Sequence, residues 1–368
     1  MENIILVIIG FLVAALMGQV IIPRILVISL RKRLFDIPDE RKVHTHPVPR
    51  LGGVTFYPTI LFVLCIIMAW RIISGHLPNQ IFTMEIAGEM LALVAGLTLL
   101  YILGIGDDLV GVRYRKKFIV QILSAAFFPL AGLYINNFYG LFGIYALSPF
   151  VGIPLTMLLV VFITNAINLI DGIDGLASSI CVVALATFGL IFAFDHLWIF
   201  SLLAFTCVGV LIPFFIYNVF GNAERGKKIF MGDTGSLTLG YILSFLVIQY
   251  CMYQGVKTIP NYSGTINVAL SILLVPCLDV IRVVIGRIQR HKSPFLPDKT
   301  HIHHRFMAMG FSTRHSLILI QCISLTFIAF TALMVYYFKT NVNIILAFQV
   351  IAWTLLNLWF SKVIRNKS

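Results

Sequence analysis

Long apolar runs alternate with short polar segments along the whole chain. A helix needs about 20 apolar residues to cross the hydrocarbon layer of a membrane. Stretches such as Leu61 to Ala69 are apolar at every position instead of at alternate positions, which predicts helices, because their backbone groups are satisfied within the segment. Eleven spans are predicted, and they begin near Asn3, Val54, Ile86, Phe118, Phe150, Leu176, Leu197, Ser236, Ile266, Leu317 and Val342.

The composition indicates the same class of protein. Hydrophobic residues make up 59% of the chain and charged residues 11%, whereas a soluble domain has about 25% charged residues. We therefore predict an all-α, polytopic transmembrane helix bundle that forms a single domain over residues 1–368. The first run has no basic lead and no small-residue cleavage site, so it is predicted to remain as an anchor.

Basic residues give the predicted orientation of the bundle. Eleven spans place the odd-numbered loops and the C-terminal tail on one face, and of the 27 Lys and Arg residues only Arg71, Lys257 and Lys339 lie opposite. The positive-inside rule makes that face cytoplasmic. The net charge of +12 then follows from topology and from contact with anionic membrane lipids, and no nucleic-acid partner is predicted.

Acidic residues follow no such topological rule, yet they gather on the same face. Of the 15 Asp and Glu residues, only Glu2, Glu85, Glu89 and Asp195 lie elsewhere. This distribution predicts an active site formed by cytoplasmic loops. The loops that bring acids, bases and imidazoles to this face lie near 31–53, 106–117, 167–175, 218–235 and 286–316.

The first two loops combine basic residues with adjacent carboxylates. Lys42 and Arg50 lie in a proline-stiffened loop, which fits either phosphate binding or an ordinary positive-inside loop. Asp107 and Asp108 follow an apolar run and precede a basic stretch that includes Lys117. Neighbouring carboxylates repel each other and lose hydration at the mouth of an apolar helix, which favours a bound cation. Helix capping is the alternative, but it would explain only one of the two.

The third loop spaces three oxygen-bearing side chains evenly. Asn168, Asp171 and Asp174 lie three residues apart, so a helical turn would place them on one side. A turn capped by these side chains is the alternative interpretation. Carboxylates that interrupt apolar runs favour a functional site.

The fourth loop contains Asn218 and Phe230 and ends at Asp233, which opens a predicted helix. Asp233 is interpreted either as an N-cap or as a metal ligand beside a phosphate seat made of unpaired N–H groups. The sequence leaves both interpretations open.

The fifth loop carries a cluster of imidazoles, from His301 to His304, and a neighbouring pair, Asp279 and Arg282, precedes it in the chain. A zinc site is one interpretation of such a cluster. This loop has no Cys, however, and the other loops offer oxygen ligands. Oxygen ligands suit Mg²⁺ or Mn²⁺.

Five motifs, in this order, resemble those of the polyprenyl-phosphate N-acetylhexosamine-1-phosphate transferases, and the resemblance extends over nearly the whole chain. It implies a bundle of ten or eleven transmembrane helices, Mg²⁺ at Asp233, essential roles for Asp107 and Asp108, and a nucleotide near Asn218 and Phe230. The motifs are Pro49-Arg50-Leu51-Gly52-Gly53, Asp107-Asp108, Asn168 through Asp174, Phe230 through Ser236, and His301 through Arg305.

The loop chemistry and the resemblance together give a predicted site. The predicted catalytic residues are Asp107, Asp108, Asp171, Asp174, His303 and His304. The predicted ligands of Mg²⁺, or of Mn²⁺, are Asp233 and Asp171. The residues predicted to bind the substrates are Lys42, Arg50, Asn168, Asn218, Phe230, Lys117, His301 and Arg305.

The resemblance also implies an activity. It is the transfer of N-acetylglucosamine 1-phosphate, or of a related N-acetylhexosamine 1-phosphate, from a UDP-sugar to undecaprenyl phosphate at the cytoplasmic face of the bacterial plasma membrane, with release of UMP. The N-acetylglucosamine branch of the family starts the synthesis of teichoic acid, enterobacterial common antigen or O-antigen, which is part of lipopolysaccharide. A homodimer is compatible with the sequence.

The sequence allows two alternative functions. Phospho-MurNAc-pentapeptide transferases usually carry three consecutive histidines after Ala-Pro-Ile, and the departure to His301-Ile302-His303-His304 in this chain favours the N-acetylglucosamine branch. A cation-coupled transporter would carry ionisable residues at mid-membrane depth. Only Glu89 and the pair of Asp279 and Arg282 approach that depth.

Overall fold

The computed structural model describes residues 2–36, 47–75, 84–252, 264–293 and 299–367. Lys42, one of the predicted substrate-binding residues, lies outside these described residues. The described chain is almost entirely helical, as the apolar runs predict. Its helices are α1 (Glu2–Lys32), α2 (Phe56–Ile73), α3 (Met84–Val110), α4 (Tyr114–Leu130), α5 (Pro149–Ile170), α6 (Leu176–Phe194), α7 (Trp198–Val219), α8 (Gly232–Met252), α9 (Thr265–Ile272), α10 (Leu274–Gln289), α11 (Ile302–Ala308), α12 (Thr313–Ala332) and α13 (Val342–Arg365).

Two short antiparallel ladders accompany the helices. Strand β1 (Phe35–Asp36) pairs with β2 (Val48–Pro49), and β3 (Asn137–Leu141) pairs with β4 (Ile144–Ala146). A 3₁₀ turn, Gly52–Thr55, leads into α2, and a π-helical turn, Leu333–Tyr337, follows α12.

Nine helical segments in the described part of the chain are long and apolar enough to cross a membrane. Helices α9 and α10 meet at a bend of 72° and together would make a tenth span. Helix α4 has 17 residues, about 26 Å at 1.5 Å per residue, and is not among the nine. The multi-spanning helical class is therefore confirmed, and the count of eleven stays a prediction.

Helix α8 is the centre of the bundle. All of its residues from Thr234 to Met252 are buried, and it packs against α3 and α5. Small residues allow this close approach, as is common between helices in membranes. A Cβ atom at Gly104 of α3 would lie 2.4 Å from the Cα of Thr234, and one at Gly240 would lie 2.7 Å from the Cα of Thr164 in α5.

The chain direction brings several helix ends to one end of the bundle. Helices α3 and α5 end there, and α4 and α8 begin there, so that Asp107, Lys117, Asn168 and Asp233 all lie at this end. Helix α1 packs against α7 and exposes large apolar side chains such as Leu16, as a helix in contact with lipid does. The fold thus gathers polar helix ends above an apolar body.

Replacing Gly104 by alanine is expected to destabilise the bundle by about 1–3 kcal/mol, because the added methyl group would overlap the backbone of α8 and an overpacked core costs that much. Gly88→Ala in the same helix is the matched control, since nothing lies within 4 Å of a Cβ at that position. Thermal unfolding of both variants in detergent measures the difference. Equal melting temperatures would show that α3 and α8 do not pack this closely.

Candidate active site

The N-terminus of α8 is capped by a side chain from α3. Asp108 accepts hydrogen bonds from the backbone N–H of Asp233 at 2.8 Å and of Thr234 at 3.0 Å, and from the Thr234 hydroxyl at 2.6 Å. These N–H groups have no partner within the helix. The expectation that the first N–H groups of α8 are unpaired and form a phosphate seat is therefore wrong for Asp233 and Thr234, because Asp108 already fills them.

The adjacent Asp107 has a different partner. Its Oδ2 lies 2.7 Å from the Nζ of Lys117, and its Oδ1 accepts from the backbone N–H of Val112 at 2.6 Å. The same Lys117 Nζ lies 2.5 Å from the Oδ2 of Asp233. One ammonium group thus joins two carboxylates that lie on α3 and α8, and all three side chains keep some exposure to solvent.

The Pro49–Gly53 motif pairs through its backbone with the segment that precedes α8. The Phe230 N–H donates to the Pro49 carbonyl at 2.7 Å, and the Gly52 and Gly53 N–H groups donate to the carbonyls of Phe230 and Met231 at 2.9 and 2.8 Å. This pairing places Arg50 and Phe230, both half-buried, beside the start of α8.

Gly232 begins α8 with a φ of +73°. A Cβ atom there would lie 2.2 Å from the carbonyl oxygen of Arg50 and 2.6 Å from Asp108. Both the conformation and the space therefore require glycine at this position.

Asn168 and Asn218 connect the third loop to its surroundings. The Asn168 amide donates to the Ser236 hydroxyl at 2.8 Å, and its side chain also lies beside that of Asp233. Asn218 is buried; its Oδ1 accepts from the Gly175 N–H at 2.6 Å and its Nδ2 donates to the Ile229 carbonyl at 2.8 Å. Asn168 thus belongs to the Asp233 cluster, whereas the amide of Asn218 links two backbone segments.

Asp171 and Asp174 lie in the turn between α5 and α6. Asp174 pairs with Lys228 at 2.5 Å. The Asp171 residue keeps solvent-accessible surface, but many protein atoms surround its carboxylate and reduce its hydration. This loss of hydration, with the nearby carboxylates of Asp233, Asp174 and Asp108, raises the pKa of Asp171 to about 7, so a cation beside this group would be favoured.

The histidine loop adjoins this turn. The His303 ring is buried, and neither of its nitrogens has a hydrogen-bond partner among the residues that the structure describes. A Cβ on Gly172 would lie 2.2 Å from its Nε2. His301 stacks on His303 with ring centroids 6.0 Å apart, and His304 lies 4.3 Å from His303 by the same measure. The loop therefore reaches the site through the contact of His303 with Gly172.

Arg305 points away from this contact. Its guanidinium donates to the side chain and backbone carbonyls of Asn357 at 2.7 and 2.9 Å and to the Ser361 hydroxyl at 2.5 Å, and it lies over the Phe360 ring. Burial lowers the pKa of Arg305 to about 10, so the group stays charged at neutral pH. The structure commits Arg305 to α13 and does not bring it to Asp233.

The predicted residues thus separate into three groups. The first, which we call the Asp233 cluster, consists of Asp107, Asp108, Lys117, Asn168 and Asp233. The second borders it and contains Arg50, Phe230, Asp171, Asp174, His301, His303 and His304, and the third, bound elsewhere, contains Asn218 and Arg305. The sequence did not predict the contacts of Thr234 with Asp108 and of Lys228 with Asp174, although Thr234 lies within the Phe230–Ser236 motif.

The Asp233 cluster offers oxygen atoms to a cation, but few of them. No group of three or more His, Cys, Asp or Glu side chains that could hold a metal occurs in the described ranges. Mg²⁺ is usually bound by one or two carboxylates together with waters and substrate phosphates. The carboxylates of Asp107 and Asp233, which already share the ammonium group of Lys117, fit that donor set.

His303 is expected to make the protein less stable in acid. Burial, with the His304 and His301 rings adding to it, lowers the pKa of His303 to about 3, against about 6.5 for an exposed histidine. As the pH falls from 6.5 to 5.5, the unfolded chain gains a proton that the folded chain does not. This difference costs about 1 kcal/mol of stability.

Thermal unfolding of His303→Gln and of the parent between pH 7.5 and 5.5 tests this expectation. The variant should lose this part of the acid destabilisation, whereas His315→Gln, at an exposed position, should keep it. An unchanged pH dependence in His303→Gln would contradict the neutral, buried state of the ring.

Comparison with known proteins agrees with the motifs. Residues 90–251 match the family described as Glycosyl transferase family 4. The chain is 33% identical over 327 residues to a probable undecaprenyl-phosphate N-acetylglucosaminyl 1-phosphate transferase of Bacillus subtilis (strain 168), covering 89% of this chain and 84% of that protein.

Enterobacterial relatives show the same similarity. The undecaprenyl-phosphate alpha-N-acetylglucosaminyl 1-phosphate transferase of Escherichia coli (strain K12) is 30% identical over 290 residues, which are 78% of this chain and 72% of that protein. The Yersinia pestis protein of the same name is 28% identical over 80% of this chain and 74% of its own length. The resemblance inferred from the motifs is confirmed, and the chain belongs to glycosyl transferase family 4.

Proposed function

We propose that the protein transfers N-acetylglucosamine 1-phosphate, or a related N-acetylhexosamine 1-phosphate, from a UDP-sugar to undecaprenyl phosphate. The names of the relatives, which specify this lipid acceptor and an N-acetylglucosaminyl 1-phosphate group, support the proposal. The observation that carries it is the Asp233 cluster, in which carboxylates and an ammonium group meet at one end of a membrane-spanning bundle. A lipid phosphate in the membrane and a soluble nucleotide sugar can both reach such a position.

The proposed reaction is one displacement at phosphorus. An oxygen of the lipid phosphate forms a bond to the β-phosphorus of the UDP-sugar, and the bond from that phosphorus to the bridging oxygen of the α-phosphate breaks. UMP leaves with the bridging oxygen. The sugar keeps its β-phosphate, which is now joined to the lipid phosphate, so that a pyrophosphate links the sugar to the lipid. Phosphoryl transfer of this kind depends mainly on positioning and on neutralising charge.

The residues of the site suit these tasks. Lys117, between Asp107 and Asp233, and Arg50, beside the start of α8, supply positive charge for the phosphates. Lys42, outside the described residues, is proposed to act with them. Asp108 and Gly232 hold the first turn of α8 in place, which fixes the position of Asp233.

Mg²⁺ is proposed as the cofactor, with Mn²⁺ as a substitute. Asp233 and Asp107 would hold the cation. The Asp171 carboxylate, whose pKa is raised in part by the nearby Asp233, would add to the attraction of this site for a cation. When bound, the cation would neutralise the pyrophosphate of the donor. By the positive-inside rule, we propose that this end of the bundle faces the cytoplasm of a bacterial cell.

The proposal is tested with the purified protein, undecaprenyl phosphate and a panel of UDP-sugars, scored for UMP release. UDP-N-acetylglucosamine is expected to give the fastest release, dependent on both the lipid phosphate and Mg²⁺. UMP release from UDP-MurNAc-pentapeptide alone would favour the related cell-wall activity. No UMP release with any donor would overturn the proposal.

Asp233→Asn is expected to lower turnover by at least about a hundredfold, as the loss of a preorganised charge at a transition state does. Asn keeps the size of the side chain and its place at the start of α8 but lacks the charge that a hard divalent cation needs. Turnover is measured over a titration of Mg²⁺. The control is Asp195→Asn, because Asp195 follows the C-terminus of α6, the end away from the turn that contains Asp171. Near-parental turnover of Asp233→Asn with unchanged Mg²⁺ dependence would rule out the metal assignment.

Asp107→Asn separates an electrostatic role of Asp107 from a general-base role. A phosphate monoester has its second pKa at about 6, so the lipid phosphate is mostly a dianion at neutral pH and has little need of a base. Asp107 instead holds Lys117, which indicates an electrostatic role.

The expected result is a loss of activity that stays nearly constant from pH 6 to 9 at saturating Mg²⁺. Parent and variant are compared over this range with the same donor and acceptor. A variant that recovers strongly as the pH rises would instead identify Asp107 as a base.

A further inference from the structure

The fully buried carboxylate of Asp279 joins α10 to the histidine loop. Its Oδ1 accepts from the Arg282 guanidinium at 2.7 Å and from the Ile302 N–H at 3.0 Å, and its Oδ2 lies 2.8 Å from the Nδ1 of His301. Arg282 also donates to the Thr300 carbonyl at 2.6 Å. The residues on both sides of His301 are thus held against α10 through one acid and its neighbouring arginine.

The hydrogen bond to Asp279 determines which nitrogen of His301 carries a proton. An ionised carboxylate only accepts hydrogen bonds, so Nδ1 must be the protonated nitrogen. The Nε2 atom forms no hydrogen bond within the described residues and is not sealed from solvent. A partner of a ring nitrogen sets the tautomer of histidine in this way in many functional sites.

The contacts of Asp279 leave one ring nitrogen of His301 available to a ligand. Arg282 also pairs with Asp279 at 2.7 Å, so protein groups alone satisfy the Asp279 carboxylate. A neutral ring with a proton on Nδ1 presents a lone pair at Nε2. Such an atom accepts a hydrogen bond from a hydroxyl or amide N–H group, whereas a phosphate dianion offers it no proton.

The position of His301 connects this nitrogen to the proposed site. Its ring is parallel to that of His303, within 4°, at a centroid distance of 6.0 Å, and His303 lies against Gly172, the residue after Asp171. The histidine loop therefore continues from Asp279 to the turn that borders the Asp233 cluster.

We propose that Asp279 is a positioning residue that fixes the tautomer of His301, so that Nε2 accepts a hydrogen bond from a hydroxyl or acetamido N–H group of the transferred sugar. This inference rests on the proposed function for the identity of the ligand. It assigns Asp279, whose side chain is fully buried, a role in sugar recognition that acts through His301.

The first experiment is a double-mutant comparison of Asp279→Asn in the parent and in His301→Gln. Asn keeps an oxygen for Arg282 and Ile302 but turns an amide donor towards Nδ1, which reverses the tautomer. We expect kcat/KM for the UDP-sugar to fall roughly ten- to hundredfold, as loss of an orienting partner does, with inhibition by UMP unchanged. In His301→Gln, whose amide has no tautomer to set, the same substitution should cost less than about twofold, because coupled residues are non-additive.

A purely structural role of Asp279 predicts another pattern. Asp279→Asn would then cost the same in both backgrounds and would weaken UMP binding as well, and either result would overturn the inference. Arg282→Met is the matched control, because it removes a second tie between α10 and the loop without changing the partner of Nδ1. It should lower the melting temperature without altering the preference for N-acetylglucosamine over glucose in the UDP-sugar.

A second variant keeps the inference testable should Asp279→Asn fail to fold. His301→Asn places an amide near the position of Nδ1, where it can still meet Asp279, but has nothing at the position of Nε2. It should lose more sugar selectivity than His301→Gln, because the longer side chain of Gln can bring its amide near the position of Nε2. Parental selectivity in His301→Asn would overturn the contact at Nε2.

A spectroscopic measurement separates this inference from the proposed function. In protein labelled with ¹⁵N-histidine, the His301 signals, assigned by their loss in His301→Gln, should show a protonated Nδ1 and an unprotonated Nε2, reversed in Asp279→Asn. This readout needs no turnover. A protonated Nε2 in the parent would overturn the tautomer assignment, whereas a correct tautomer without UMP release would overturn only the proposed function.

Discussion

The capping of α8 by Asp108 is the interaction on which the rest of the site depends. Helix α8 is buried along its whole apolar length, and its first N–H groups would be unpaired without an acceptor. Asp108 supplies that acceptor with three hydrogen bonds of 2.6–3.0 Å. An N-cap side chain contributes about 1 kcal/mol in a water-exposed helix, and bonds to a charged acceptor are stronger. The cap also fixes α3 against α8, and this contact sets the distance between Asp107 and Asp233.

Two adjacent carboxylates therefore do different work at the end of α3. Asp108 accepts hydrogen bonds from the N-terminus of α8, where the helix dipole favours its negative charge. Asp107 does not cap α8. It pairs instead with Lys117, which also contacts Asp233. The cluster keeps the carboxylates of Asp107 and Asp233 near one ammonium group, and among the described residues no three acids, histidines or cysteines form a group that could hold a metal by themselves. Such a partial donor set suits a cation that also binds substrate phosphates.

The sequence predicted those features that depend on a single segment of chain. Apolar runs predicted the helices, because hydrocarbon requires every backbone group to be paired locally, and each of the eleven predicted starts falls on or beside a helix. The bend between α9 and α10 was missed, because Ile272, Leu273 and Leu274 continue the apolar run without a break. Polar positions were found for the same local reason, since charge at the end of an apolar helix stands out.

What the sequence could not predict is which polar groups pair over long separations. Asp108 lies 125 residues from the Asp233 that it caps, and Arg305 lies 52 residues from the Asn357 that it binds. Both pairings depend on how helices are arranged, which no local spacing encodes. The resemblance to a family ordered the motifs but could not assign these partners, so it grouped Arg305 with substrate-binding residues while the structure directs its guanidinium to α13.

The same limit explains why Asp279 escaped the predicted site. Its spacing to Arg282 gave a complete local account of its charge, namely an ion pair one helical turn apart, and that pair is present at 2.7 Å. A carboxylate, however, has two oxygen atoms and room for several hydrogen bonds. Arg282 uses only one of these oxygens, and the other reaches His301, 22 residues further along the chain. A residue whose charge is balanced locally can therefore still have an oxygen free to orient a distant side chain, and in this bundle Asp279 on α10 makes that contact.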